Sequence, residues 1–99
     1  VNLYKLLTSE KKEFVMSRQL LKSGTAIGAL VSEAEHAESK ADFIHKMSIA
    51  LKEANETEYW IDLLNASVYL NQDQYQDFKK DIKEILRLLK SIVKTSKQK

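Results

Sequence analysis

The feature that most constrains this chain is a long, uninterrupted run of apolar or small residues at helical spacing. Its members recur every three or four positions, as one face of an amphipathic helix requires: Phe43, Met47, Ala50, Ala54, Thr57, Ile61, Leu64 and Val68. The chain of 99 residues contains no proline and only two glycines, so little in it interrupts a helix. The sequence therefore predicts an all-α protein.

Similar stripes lie on both sides of this run. A helix predicted over residues 10–37 buries Met16, Leu20, Ile27, Leu30, Val31 and Ala34. The last predicted helix follows "NQDQ", with Asp73 as its N-cap, and buries Tyr75, Phe78, Ile82, Ile85, Leu89 and Ile92. "VNLYKLL" fits the last turns of one more helix, with Leu3, Leu6 and Leu7 on one side. These stripes predict four helices, of which the first is truncated in this chain.

The connections between the predicted helices are short and polar. "TSEKKE" is predicted to be a turn after the first helix, and "AESKAD" a turn after the second, with Ser39 and Asp42 as a capping pair. Short connections make neighbouring helices antiparallel. We therefore expect residues 1–99 to form a single domain, a left-handed, up-and-down four-helix bundle.

Both glycines lie on the second predicted helix, four residues apart. They share a face with other small side chains, about a quarter-turn from the core stripe. Small residues at this spacing let another backbone approach closely. A second stripe on the third helix carries two carboxylates and the only tryptophan. The candidate helix-packing or oligomer interface comprises Leu21, Gly24, Thr25, Gly28, Glu53, Glu56 and Trp60.

Whether the neighbour of the glycine face belongs to the same chain or to another copy is open from the sequence. Arg18 and Lys22 are plausible partners for the two glutamates, Glu53 and Glu56, within the bundle. The Trp60 ring fits an interface anchor or a side chain packed within its own bundle.

Charge is unevenly distributed, although the net charge is only +2. The middle of the chain is acidic, and the last predicted helix carries a row of cations at three-and-four spacing: Lys80, Lys83, Arg87, Lys90, Lys94 and Lys97. The acids of this helix, Asp77, Asp81 and Glu84, fall on a flank. An uninterrupted row of cations attracts phosphate backbones. The row is thus a candidate nucleic-acid-binding face, and the alternative is a solvated face or one that meets the acidic middle of a neighbouring subunit.

Catalytic and metal chemistry find little support in the sequence. The only histidines are His36 and His45, and neither has a nucleophile at a distinctive spacing. Glu33 with His36, and Asp42 with His45, have the Glu-x-x-His type of spacing found in di-iron bundles, but the core stripe of the last helix offers no carboxylate. The sequence predicts no catalytic residue, no metal site, no cofactor and no small-molecule substrate.

Targeting and redox features are also missing from the sequence. There is no cysteine and no apolar run long enough to cross a membrane. We therefore expect a cytoplasmic protein that has no membrane partner.

The stretch "RQLLKSGTAIGALVSEAEHAESKADFIHKMSIALKEANETEYWIDLL", residues 18–64, resembles the four-helix-bundle family encoded in intervening sequences of bacterial 23S rRNA genes. The matching positions are Arg18, Gln19, Ser23, Gly24, Thr25, Gly28, Glu33, Ala34, Ser39, Asp42, Phe43, Lys46, Lys52, Glu53, Glu56, Thr57 and Trp60. Ala26 departs from the family pattern, where serine is common.

This resemblance implies a cytoplasmic four-helix bundle that assembles into a homopentamer. The bundle is also similar to the accessory variability protein of diversity-generating retroelements, which works with a reverse transcriptase and its RNA. The family has no established activity, and its name refers to the location of the gene.

Together, the residues and the resemblance predict a non-enzymatic, ring-forming homo-oligomer. Its expected role is to bind RNA or a nucleic-acid-processing enzyme through the basic face. The alternative is a protein–protein scaffold with no nucleic-acid binding.

Overall fold

Three long helices account for nearly all of the chain. The computed structural model describes the backbone of residues 2–98 and the side chains of residues 11–98. The helices are α1 (Asn2–Glu35), α2 (Lys40–Ala66) and α3 (Gln72–Lys97), and the described residues contain no β-strand. The prediction of an all-α protein is confirmed.

The predicted turn at "TSEKKE" is wrong, because α1 runs through it without a break. Glu and Lys are good helix formers, and the segment has neither glycine nor proline. Thr8 and Ser9 can cap a helix, but nothing around them stops one. The described chain therefore has three helices where the sequence predicted four. The predicted apolar contacts of Leu3, Leu6 and Leu7 fall outside the described side chains.

Side-chain caps determine where α2 and α3 begin. Ser39 caps α2 as predicted, because its hydroxyl accepts a hydrogen bond from the Asp42 amide at 3.0 Å. The N-cap of α3 is Asn71 rather than the predicted Asp73. Its side chain accepts from the Gln74 amide at 2.8 Å, and the Gln74 side chain accepts from the Asn71 amide at 3.0 Å, which completes a capping box.

The end of α2 corrects the prediction for Val68. The Tyr69 amide donates to Leu64 O at 2.9 Å, and the Val68 amide donates to Asn65 O at 3.0 Å. This pair of bonds is a Schellman motif, which requires a left-handed residue just after the helix. Val68 takes that place with φ 64°, and 84% of it is exposed. It is therefore a turn residue and not part of the core stripe.

The core follows the predicted stripes on α1 and α2. Its buried apolar residues are Met16, Ile27, Ala34, Met47, Ala50, Ala54, Ile61, Leu64, Ile82, Leu86, Leu89 and Val93. On α3, the predicted core residues Phe78 and Ile85 are 43% and 38% exposed, whereas Leu86 and Val93 are buried. Because α3 packs closely against α2 alone, it buries one narrow stripe.

A buried polar pair joins α1 to α2. Ser23 and Thr57 are only 2% and 6% exposed. Their hydroxyl oxygens lie 2.9 Å apart, and Thr57 Oγ1 also lies 2.8 Å from Glu53 O. The Ser23 hydroxyl donates in turn to Leu20 O at 3.2 Å. Burying a hydroxyl is costly unless it has a partner, so this pair favours one register between the two helices.

The three helices form an open layer. α2 is the central helix, and the backbones of α1 and α3 approach it but not each other within the described chain. The molecule measures 60 × 23 × 15 Å. An apolar groove of 370 Å³ remains between α1 and α3, and its floor is formed by Thr57 and Ile61 of α2.

Candidate nucleic-acid interface

The predicted basic face lies along the outside of α3. All six of its cations are exposed: Lys80, Lys83, Arg87, Lys90, Lys94 and Lys97. From the first to the last, the row is about 25 Å long at the rise of an α-helix. Lys94 and Lys97 also lie in the last turn of α3, where positive charge stabilises the helix terminus.

The acids of α3 lie along the flank of the helix that borders this row on the side of the groove. Asp81 lines the groove beside Phe78 and Ile85. Asp77 and Glu84 are exposed and, by helical winding, share the Asp81 flank. Glu84 lies four residues after Lys80 and three before Arg87, so the acids border the row on one side and do not lie within it.

Carboxylates from α2 reach one end of the basic row. Lys79 Nζ lies 2.8 Å from both Asp62 carboxylate oxygens and 3.1 Å from Glu58 Oε2. Lys83 Nζ lies 3.6 Å from the same Glu58 oxygen. This oxygen is shielded from solvent and has no well-directed hydrogen bond, so ion pairing alone compensates its charge. Lys83 is thus partly neutralised, unlike the cations further along the helix.

The same cluster shifts the pKa values of its members. Partial burial acts to raise the pKa of Asp62, but hydrogen bonds from Lys79 and from Tyr75, whose hydroxyl donates at 2.9 Å, lower it below 3.8. Burial likewise opposes the charge on Lys79, yet its contacts with Asp62 and Glu58 raise its pKa above 10.5. The hydrogen bond to Asp62 raises the pKa of Tyr75. The cluster therefore joins α2 to α3 as a charged structural contact.

Sequence analysis missed this cluster, although a signal was present. Glu58 and Asp62 are four residues apart on α2, and Tyr75, Lys79 and Lys83 are spaced by four on α3. Complementary charges at matching helical spacing on adjacent helices indicate cross-helix pairing.

The glycine face is open in the described chain. Gly24 and Gly28 are exposed, and a Cβ atom added to either would meet no described atom within 4 Å beyond the adjacent turns of α1. Leu21, Gly24 and Thr25 line one wall of the groove, and Leu21 is 71% exposed. The Thr25 hydroxyl is satisfied locally, because it donates to Leu21 O at 2.6 Å. The close helix contact predicted here is not made within the described residues.

The other interface candidates lie on α2. Glu56 is exposed and Glu53 half-buried, and the described residues contain no ion pair between these glutamates and Arg18 or Lys22. The predicted intramolecular pairing is therefore absent. Trp60 is half-buried and packs edge-to-face with Tyr59 at 5.0 Å between ring centroids. Its indole Nε1 is shielded from solvent and donates to no described acceptor.

Residues of the Glu-x-x-His type of spacing make other contacts in the structure. Glu33 forms an ion pair with Lys46 at 3.7 Å, and the His36 ring Nδ1 lies 3.1 Å from Ser32 O. Across the described residues, no three His, Asp or Glu side chains cluster as a metal site requires. Nor does any described helix have an apolar stretch long enough to cross a bilayer.

Comparison with known proteins identifies the family. The family model for the 23S rRNA-intervening sequence protein matches residues 1–91. A crystal structure of a protein of unknown function from Bacteroides thetaiotaomicron, assigned to the S23 ribosomal protein family, is 60% identical to this chain. The similarity covers 95% of this chain and 87% of that one, with a TM-score of 0.81. Among curated proteins there is no match. The chain therefore belongs to the 23S rRNA-intervening sequence protein family.

Proposed function

We propose that this protein is a non-enzymatic, cytoplasmic binding protein that holds RNA, or a nucleic-acid-processing enzyme together with its RNA, on the basic face of α3. The observation that carries the proposal is the row of six exposed cations with the acids of α3 on another flank. Cations in such a row neutralise phosphates and release counterions, which gives affinity without base specificity.

The cations differ in what they offer. Lys83 is already within ion-pair distance of Glu58, whereas Arg87, Lys90 and Lys94 have no described carboxylate partner. Their charge is therefore available to a ligand. Arg87 also brings a planar guanidinium that can donate two parallel hydrogen bonds to one phosphate. The middle and the end of α3 are thus the centre of the proposed site.

Fluorescence anisotropy with a labelled RNA hairpin tests this function. The double variant Arg87→Glu/Lys94→Glu should bind at least about tenfold more weakly than the unmodified chain. Each lost phosphate contact reduces the number of counterions that binding releases, and this release favours binding. The control Arg18→Glu/Lys22→Glu makes the same charge change on exposed residues of α1 and should leave binding within about twofold. Equal losses in the two variants would contradict a site on α3.

We further propose that the protein self-associates through the glycine face and completes a four-helix bundle there. An additional helix seated between α1 and α3 would cover Phe78, Ile85 and Leu21, and it would use the space beside Gly24. Exposed apolar side chains around one groove are typical of an interaction site. The pentameric ring expected for this family is the assembly that we propose.

Multi-angle light scattering tests the assembly. Gly24→Leu should dissociate the ring without loss of helicity by circular dichroism, because a Cβ atom there meets no described atom within 4 Å beyond the adjacent turns of α1, and leucine is a good helix former. Lys22→Leu adds a leucine on another flank of α1 and serves as the control. A Gly24→Leu protein that stays assembled would contradict a role of this face in the interface.

The same groove favours a second candidate function, that of a protein–protein scaffold. In this alternative the α3 cations are solvated or meet the acidic residues of a neighbouring subunit, and the groove binds the partner. A ring that retains its mass and does not bind RNA at low salt would favour the scaffold.

A further inference from the structure

We propose that the basic face of α3 binds the phosphate backbone of double-stranded nucleic acid in preference to single strands. This inference rests on the proposed nucleic-acid binding and specifies its ligand. It follows from the spacing of the cations, from the rigidity of the helix that carries them, and from the kinds of side chain around them.

The six cations form two parallel rows on one uninterrupted helix. One row is Lys80, Arg87 and Lys94, and the other is Lys83, Lys90 and Lys97. Within a row the cations are seven residues apart, about 10 Å at the helical rise. Residues three or four apart are neighbours on a helix surface, so the two rows lie side by side. The face is therefore a rigid array about 25 Å long and two cations wide.

A duplex matches such an array better than a single strand. A duplex has two backbones at fixed separation, and its axial charge density is about twice that of one strand. Two rows of cations can contact both backbones at once. A flexible single strand must first be ordered along the helix, and that ordering costs binding free energy.

Among the described side chains, no aromatic ring lies on the basic face, and single-strand binders use such rings. Proteins that hold single strands stack the bases on aromatic side chains beside a basic groove. The aromatic residues of α3 are Tyr75 and Phe78, and neither serves the basic face. The Tyr75 hydroxyl is bonded to Asp62, and Phe78 lines the groove on the other side of the helix. The exposed Tyr59 lies on α2 and packs edge-to-face with Trp60.

Acidic side chains confine the duplex to one side of α3. Asp81 faces the groove, and Glu58 and Asp62 of α2 occupy the position beside Lys79. These carboxylates repel phosphate at both edges of the N-terminal half of the array. The duplex should therefore lie mainly against Arg87, Lys90 and the cations that follow.

Competition between matched probes tests the preference. The probes are an oligouridine strand, an RNA duplex and a DNA duplex, each of about 20 nucleotides per strand, titrated with the unmodified chain at about 50 mM and 200 mM salt. At the lower salt, both duplexes should bind at least about tenfold more tightly than the single strand. Between the two salt concentrations, their binding affinity should fall by about 10²- to 10³-fold. Because the cations are proposed to contact phosphates, which RNA and DNA share, the RNA and DNA duplexes should differ by less than about threefold.

The outcomes separate this inference from the proposed function. If oligouridine binds as tightly as the duplexes, and Arg87→Glu/Lys94→Glu weakens it, the duplex preference is overturned while nucleic-acid binding stands. If none of the probes binds, both are overturned. If only one duplex binds more tightly than the single strand, the proposed preference for the backbone of any duplex is overturned. The control Arg18→Glu/Lys22→Glu should retain the full preference for duplexes. If it loses as much affinity for the duplexes as Arg87→Glu/Lys94→Glu does, a site on α3 is contradicted.

Discussion

Val68, just after the end of α2, has an unfavourable backbone conformation for its residue type. A β-branched side chain in the left-handed region is strained, and with 84% of the residue exposed, little burial offsets that strain. Glycine is the usual residue at this place in a Schellman motif. Val68→Gly should therefore stabilise the fold by about 1 kcal/mol, which corresponds to a rise of about 4–8 °C in Tm. Thermal unfolding followed by circular dichroism measures this, with Val68→Ala as the control that keeps a Cβ. A lower Tm for the glycine variant would contradict the strain argument.

Thr57 and Ser23 contribute to the free energy of unfolding as a pair. Thr57→Val keeps the shape of the buried side chain but removes its hydrogen-bonding contacts with Ser23 Oγ and with Glu53 O. The loss should cost about 1–2 kcal/mol of unfolding free energy in urea titration. Ser23→Ala should cost a similar amount, and the double variant should cost less than the sum of the two because one shared interaction is lost only once. Strictly additive losses would show that the hydroxyls do not act together.

Asp62 makes the stability of the fold depend on pH. Its pKa in the folded state is lowered from 3.8, so the charged form is favoured by folding. That contribution is fully present above the ordinary pKa and is lost as the pH falls through the lower, folded value. Asp62→Asn should therefore unfold at a lower Tm near neutral pH and lose less further stability below about pH 4. If the Tm of both proteins fell by the same amount as the pH is lowered, the stabilising role of the charged Asp62 would be contradicted.

At the level of helices, periodicity predicted most of what is observed. The stripe from Met47 to Leu64 is buried on α2, and the Ser39 cap was recognisable from its partner three residues later. The wrongly predicted helix boundaries share one cause. Capping residues such as Ser9 and Asp73 permit a helix start without requiring it, because helix propensity or a better cap nearby decides where the helix begins. The exposure of Phe78 and Ile85 could not be predicted from α3 alone, because periodicity gives an apolar face but not its neighbours.

At the scale of the molecule, the candidate site was more predictable than its surroundings. The cation row on α3 needed only helical spacing to be found, and all six of its cations are exposed. The ion pair between Lys83 and Glu58 could not be located without knowing how α3 lies on α2. The same missing information left the neighbour of Gly24 undecided, because a face of small residues serves contacts within a chain and between chains equally well.

The separation of α1 and α3 gives the molecule an adjustable width. Each outer helix is attached to α2 along one side, and their backbones do not approach each other within the described chain. A small rigid-body tilt of either one changes the width of the groove without breaking a helical hydrogen bond, and such shear motions of packed helices are inexpensive. Whatever occupies the groove therefore sets the angle at which α3 stands to α1. In a ring of subunits, the same contact would set the direction in which every row of cations points.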